Sequence, residues 1–112
     1  MTARGSEEHG PAWERYMAEK LNEESIRGWL RDRPGWKHDG KHLLKVFRFP
    51  TFRNTIVFVN RVASIADDLN HHPDIDIRYD KVRLSVTTKE AKGITQKDID
   101  FADRVEYATS AR

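Results

Sequence analysis

Two short runs in the second half of the chain restrict its fold more than anything else in it. Ile75, Ile77 and Tyr79 alternate with Asp74, Asp76 and Arg78, and Val82, Leu84 and Val86 alternate with Arg83, Ser85 and Thr87. A period of two puts the apolar members of each run on one face of an extended strand. Only Asp80-Lys81 lies between the runs, too little chain for a crossover helix. The spacing therefore predicts an antiparallel hairpin with one half-buried face. Such a face needs a second layer to cover it.

Helical segments supply that layer. From Phe52 to Asn70, Phe52, Ile56, Val59, Ala63 and Ala66 follow one helical row, and Phe58, Val62, Ile65 and Leu69 a second. A stripe this wide predicts contact with more than one neighbour: the sheet, and a second helix or another subunit. Asn22 as N-cap, with Glu23 and Glu24 in the first turn, starts an earlier helix whose stripe is Ile26, Trp29 and Leu30. Pro34-Gly35 ends it. Trp36 to His38 and Leu43 to Phe49 read as strands joined through Asp39-Gly40, and Pro50 closes the second. Gly93 breaks the chain after the second hairpin. Thr95 and Asp98 then make a capping-box-like start for a last helix carrying Ile99, Phe101, Ala102 and Val105. The order is α-β-β-α-β-β-α, an α+β chain: a four-stranded antiparallel sheet with three helices packed on one face.

The 112 residues suit one domain. Residues 1–21 read as an N-terminal extension, disordered over its first ten, in which Trp13, Tyr16 and Met17 can form a short helical turn; residues 22–112 form the domain. With 38% hydrophobic and 34% charged residues, the core should be small and supplemented by burial between subunits. Twenty basic and 18 acidic residues leave a net charge of +2 with no long basic run. Nucleic acid is therefore not indicated: Arg78, Lys81 and Arg83 on the open sheet face are countered by Asp74, Asp76 and Asp80. The chain has no cysteine, hence no disulfide, thiolate metal site or cysteine nucleophile. It has no apolar run of membrane-spanning length and no signal-peptide core, so a cytoplasmic protein is expected.

Chemistry is concentrated at His71-His72-Pro73. Proline disfavours helical geometry at the residue before it, so the helix should stop near His71 and leave His72 extended. Two imidazoles then project in different directions from a helix C-terminus, whose partial negative charge attracts a protonated ring. Asp67 lies one turn back and should face His71. This arrangement keeps a proton donor at hand near neutral pH. Asp67 and His71 have the spacing of two metal ligands on one helix face, but adjacent histidines rarely share an ion and no further ligand is placed by sequence, so no metal is expected. His9, His38 and His42 read as exposed and without a role. Trp29 and Trp36 read as core and interface residues, Tyr79 as a core residue of its strand, and Asp98 as a helix cap first.

A longer pattern encloses these residues. Three residues separate Asp67 from His71-His72-Pro73; five then lead to Tyr79, nine to Lys89 and eight to Asp98. Pro34-Gly35-Trp36, Phe47-Arg48-Phe49, Phe58-Val59-Asn60-Arg61-Val62-Ala63 and Lys92-Gly93-Ile94-Thr95 flank it. Over about residues 22 to 108 the chain resembles the pterin-4a-carbinolamine dehydratases. The resemblance implies dehydration of 4a-hydroxytetrahydrobiopterin to quinonoid dihydrobiopterin, in support of tetrahydrobiopterin recycling, without metal or organic cofactor. It implies that His71 and His72 contact the pterin and handle protons with Pro73 holding their geometry, that Asp67 and Pro73 belong to the substrate-binding set, and that Thr88, Lys89, Glu90 and Ala91 line the other side of the pterin pocket. It also implies a homodimer or homotetramer. The family usually carries histidine, or sometimes tryptophan, where this chain has Lys89. A lysine keeps its proton in neutral solution, so it donates and does not accept. Lys89 is then either an electrostatic helper for the leaving hydroxyl or the mark of a protein whose role is binding. Relatives of this fold resemble dimerisation cofactors of transcription factors and assembly factors, which makes a protein partner the alternative.

Overall fold

The computed structural model describes residues 11–110; the expected disorder of the first ten residues lies outside them. The elements are α1 (Ala12–Met17), α2 (Glu23–Arg31), β1 (Lys37–His38), β2 (Leu43–Arg48), α3 (Phe52–Leu69), β3 (Asp74–Arg78), β4 (Lys81–Val86), a 3-10 turn (Lys89–Ala91) and α4 (Gln96–Ser110). The strands form one antiparallel sheet in the order β1-β2-β4-β3. The α+β class and the expected element order hold, with α1 as an additional short helix before α2.

The register explains the layering. Leu43 lies opposite Val86, Lys45 opposite Leu84 and Phe47 opposite Val82, so these residues share one face of the sheet. Leu43, Phe47, Val82, Leu84 and Val86 are buried together with Ile26 of α2, with Phe58, Val62, Ile65 and Ala66 of α3, and with Ile99, Phe101, Ala102 and Val105 of α4. All three long helices therefore cover that one face. On α3 the row through Phe58, Val62 and Ile65 is the buried one; Phe52 and Ala63 of the other row remain exposed.

Polar groups tie the helices to the sheet. The Trp36 indole N–H donates to Glu106 at 2.9 Å, and the Lys45 ammonium bonds the same carboxylate. Arg33 donates to Asp103 at 2.8 Å and lies 5.0 Å over the Trp29 ring. Asn22 caps α2 by accepting from the Ser25 N–H, as expected from the sequence. In the β1–β2 loop, backbone N–H groups of Lys41 and His42 donate to Asp39 and hold its carboxyl below the usual range.

Three sequence expectations need correction. The β3–β4 turn is Tyr79-Asp80, because Arg78 pairs with Lys81. Tyr79 is thus a turn residue with φ 51°, 68% exposed and stacked on Phe52, and not a core residue. The β3 face is less covered than its alternation suggested: Ile75 and Ile77 sit on an edge strand at 36% and 40% exposure. His38 is half-buried, and its Nε2 is enclosed without a hydrogen-bond partner among the described residues; His42 pairs with Asp39.

Candidate active site

The end of α3 sets the position of both histidines. Asn70 takes the left-handed conformation, φ 51° and ψ 44°. Its N–H bonds the Asp67 carbonyl, and the His71 N–H bonds the Ala66 carbonyl at 3.0 Å. This pair of bonds is a Schellman motif, which closes the helix and turns the chain sharply. The helix therefore stops through Asn70, before Pro73 exerts its restriction. Once the chain has turned, His71 no longer continues the helix face that carries Asp67.

The expected Asp67–His71 pairing is accordingly not present. Asp67 faces His72 instead, with Oδ1 3.0 Å from Nε2, and both side chains are mostly exposed. His71 points inward, where its Nε2 lies 2.7 Å from Oδ1 of Asp98. The His71 side chain is 12% exposed and that of Asp98 fully buried.

Asp98 reaches this point as the third residue of α4. Its Oδ2 accepts from the Thr95 N–H at 2.8 Å, and the Thr95 hydroxyl oxygen accepts from the Lys97 N–H at 3.2 Å, a variant of the capping box in which the hydroxyl serves the second helical residue and not the third. The same Oδ2 accepts from the Thr88 hydroxyl at 2.7 Å, and Thr88 and Thr95 share a 2.8 Å hydroxyl contact. The donors can be ordered: Lys97 N–H to Thr95, Thr95 to Thr88, Thr88 to Asp98. With Oδ2 so occupied, Oδ1 is left for His71. A buried carboxylate held by several donors avoids the large penalty of an unpaired buried charge.

Lys89 follows Thr88 directly, in the 3-10 turn that an isolated bridge between Thr88 and Gly93 closes off. Its side chain is exposed, as is that of Glu90, whereas Pro73 and Ala91 are half-buried. Thr88 is buried, with its hydroxyl committed to Asp98. The structure thus joins His71, Thr88, Thr95 and Asp98 in one network, with Lys89 at its border and His72–Asp67 as a second, outer pair. In sequence Thr95 reads as a helix start and part of a flanking run, with no sign of its hydroxyl contact with Thr88. Nothing local in sequence brings Asp98 to His71, 27 residues away. Among the described residues, no three His, Asp or Glu side chains are grouped as metal ligands would be. A separate apolar groove lies between α3 and α4, lined by Phe49, Val57, Phe58, Val62, Ile65 and Val105.

A profile of the family described as pterin 4 alpha carbinolamine dehydratase matches residues 19–108. The chain belongs to this family. A relative from Roseiflexus sp. (strain RS-1), provisionally named a pterin-4-alpha-carbinolamine dehydratase, is 46% identical over 90 residues, covering 80% of this chain and 97% of its own. One from Thermomicrobium roseum, named in the same way, is 44% identical over 86 residues, covering 77% and 92%. A crystal structure described as a transcriptional coactivator/pterin dehydratase from Brucella melitensis superposes with a TM-score of 0.75 at 27% identity, covering 79% of this chain and 96% of that one. A pterin dehydratase-like protein identified as a RuBisCO assembly factor in the alpha-carboxysome shares the fold, with a TM-score of 0.56 at 24% identity over 65% of this chain and 87% of that one.

Proposed function

We propose that this chain dehydrates 4a-hydroxytetrahydrobiopterin to quinonoid dihydrobiopterin by histidine acid–base catalysis, without metal or organic cofactor. The observation that carries the reading is the 2.7 Å contact between His71 and the buried Asp98. An ionised Asp98 accepts from Nε2–H of His71 and so fixes the tautomer. Nδ1 is then the ring nitrogen with a lone pair for a substrate proton. The carboxylate stabilises the imidazolium that results.

The reaction removes the C4a hydroxyl as water and a proton from a ring nitrogen, and a carbon–nitrogen double bond forms as the C–O bond breaks. It needs an acid and a base on opposite errands. His71 takes the base role. His72, which its exposed pairing with Asp67 leaves open to solvent, donates to the departing hydroxyl and returns its proton balance through water. Lys89 adds a fixed positive charge beside the leaving oxygen in place of the family's usual third imidazole. In this reading Pro73 holds the histidine turn, Glu90 and Ala91 border the pterin opposite it, and the buried Thr88 acts through Asp98 and not on the pterin.

The test follows the absorbance of freshly prepared 4a-hydroxytetrahydropterin. Wild type should accelerate its loss, His71→Ala should fall to near the uncatalysed rate, and Asp98→Asn should lose about 10²-fold or more. Lys89→His should equal or exceed wild type. A second reading, a homodimeric or homotetrameric binding protein that assists a protein partner, draws on Lys89 itself. Its signature would be a wild type without acceleration and a gain only in Lys89→His. No described helix is long and apolar enough to cross a membrane; a cytoplasmic setting fits the proposed substrate.

A further inference from the structure

The sheet face turned away from the helices carries charge in a pattern that folding alone disfavours. Arg48 of β2 lies directly opposite Lys81 of β4, and Lys81 directly opposite Arg78 of β3. Directly paired residues share a face, so three cations form a row across three strands, about 5 Å apart. Two residues further along the same face, Arg83 sits between Val46 and Asp76. All four cations and Val46 are exposed. Arg78 bonds Asp76 at 3.0 Å; among the described residues, Arg48, Lys81 and Arg83 make no ion pair. Like charges opposite one another on a sheet repel. Here the repulsion is repeated on both sides of Lys81, around a shallow depression lined by Val46, Asp76, Arg78, Lys81 and Arg83.

We propose that this face docks an acidic, partly apolar segment of a partner protein. Carboxylates of the segment settle on the Arg48–Lys81–Arg78 row and on Arg83, and its apolar side chains contact Val46. Charge complementarity sets the sign of the partner. Two features favour a peptide over nucleic acid. Among the described residues no aromatic ring projects from the outward positions of β2, β3 or β4: Phe47 is in the core, and the exposed Tyr79 stands in the turn with one ring face taken by Phe52. Asp74 and Asp76 share the face as acceptors, which peptide N–H groups can satisfy and a phosphodiester backbone, having no donor, cannot. The row stands at the turn end of the hairpin. It is about 20 Å along β4 from Thr88, so docking and the His71 site are separable.

The test uses fluorescence anisotropy of a labelled peptide with glutamate at every second position and leucine or serine between, against a labelled oligothymidylate of similar length. The peptide should bind saturably, more weakly as salt rises, and at least about tenfold more weakly to Arg48→Gln/Lys81→Gln. Lys81→Glu should abolish binding yet raise the melting temperature by roughly 1–5 °C, because it converts two repulsive cross-strand pairs into attractive ones. No peptide binding, binding indifferent to Lys81→Glu, tighter binding of the oligothymidylate, or a lowered melting temperature in Lys81→Glu would each overturn the proposal.

Discussion

A single carboxylate, that of Asp98, does two jobs at the residue scale. It caps α4 through the Thr95 N–H, and it meets His71 on its other oxygen. Thr88 is the hinge between these jobs, since its hydroxyl fills the lone pair that would otherwise let the carboxylate rotate. Thr88→Val keeps the shape and removes the hydroxyl. It should lower kcat about tenfold with KM nearly unchanged, and cost about 1–2 kcal/mol of stability in urea titrations, while Thr88→Ser restores most of both. A purely structural role would reduce stability and leave kcat intact. The sequence shows the cap plainly, because Thr95 and Asp98 are close in the chain. It hides the contact with His71, because that depends on how α3 and α4 pack.

Among the elements, α3 and the β3–β4 hairpin are the most legible, since their apolar periodicity runs long enough to exclude alternatives. What escapes is the handling of their ends. Asp67 and His71 have the spacing of neighbours on a helix, but the left-handed Asn70 takes His71 off that face and delivers His72 to Asp67. Alternation likewise extends the apolar face of β3 to Tyr79, where the register instead places a turn. Asn70 offers a direct check. Asn70→Gly should be neutral or slightly stabilising, because glycine adopts this conformation without strain. Asn70→Val should lose about 1–2 kcal/mol in thermal melts and most of the activity, because the branched residue resists the turn that aims His71.

The described residues form one core, drawn from three helices and one sheet face. Phe101, at 0% exposure, is the largest fully buried side chain among the described residues. Phe101→Ala should cost about 3–5 kcal/mol, a large share of the roughly 5–15 kcal/mol typical of a domain, seen as a lower urea midpoint with little change in slope. The layering was readable because binary patterns decide which face of each element turns inward. The relation of the site to the open sheet face was not, since pairing register settles it.

The segment from Thr88 to Gly93 is stapled at its base by backbone bonds and by a hydroxyl reaching into the interior, while the side chain of Lys89 stands outside that framework. Such a socket tolerates exchange: one codon can install an imidazole, an indole or an amine there and leave the scaffold undisturbed. A residue exchanged at this position should therefore leave the melting temperature nearly unchanged.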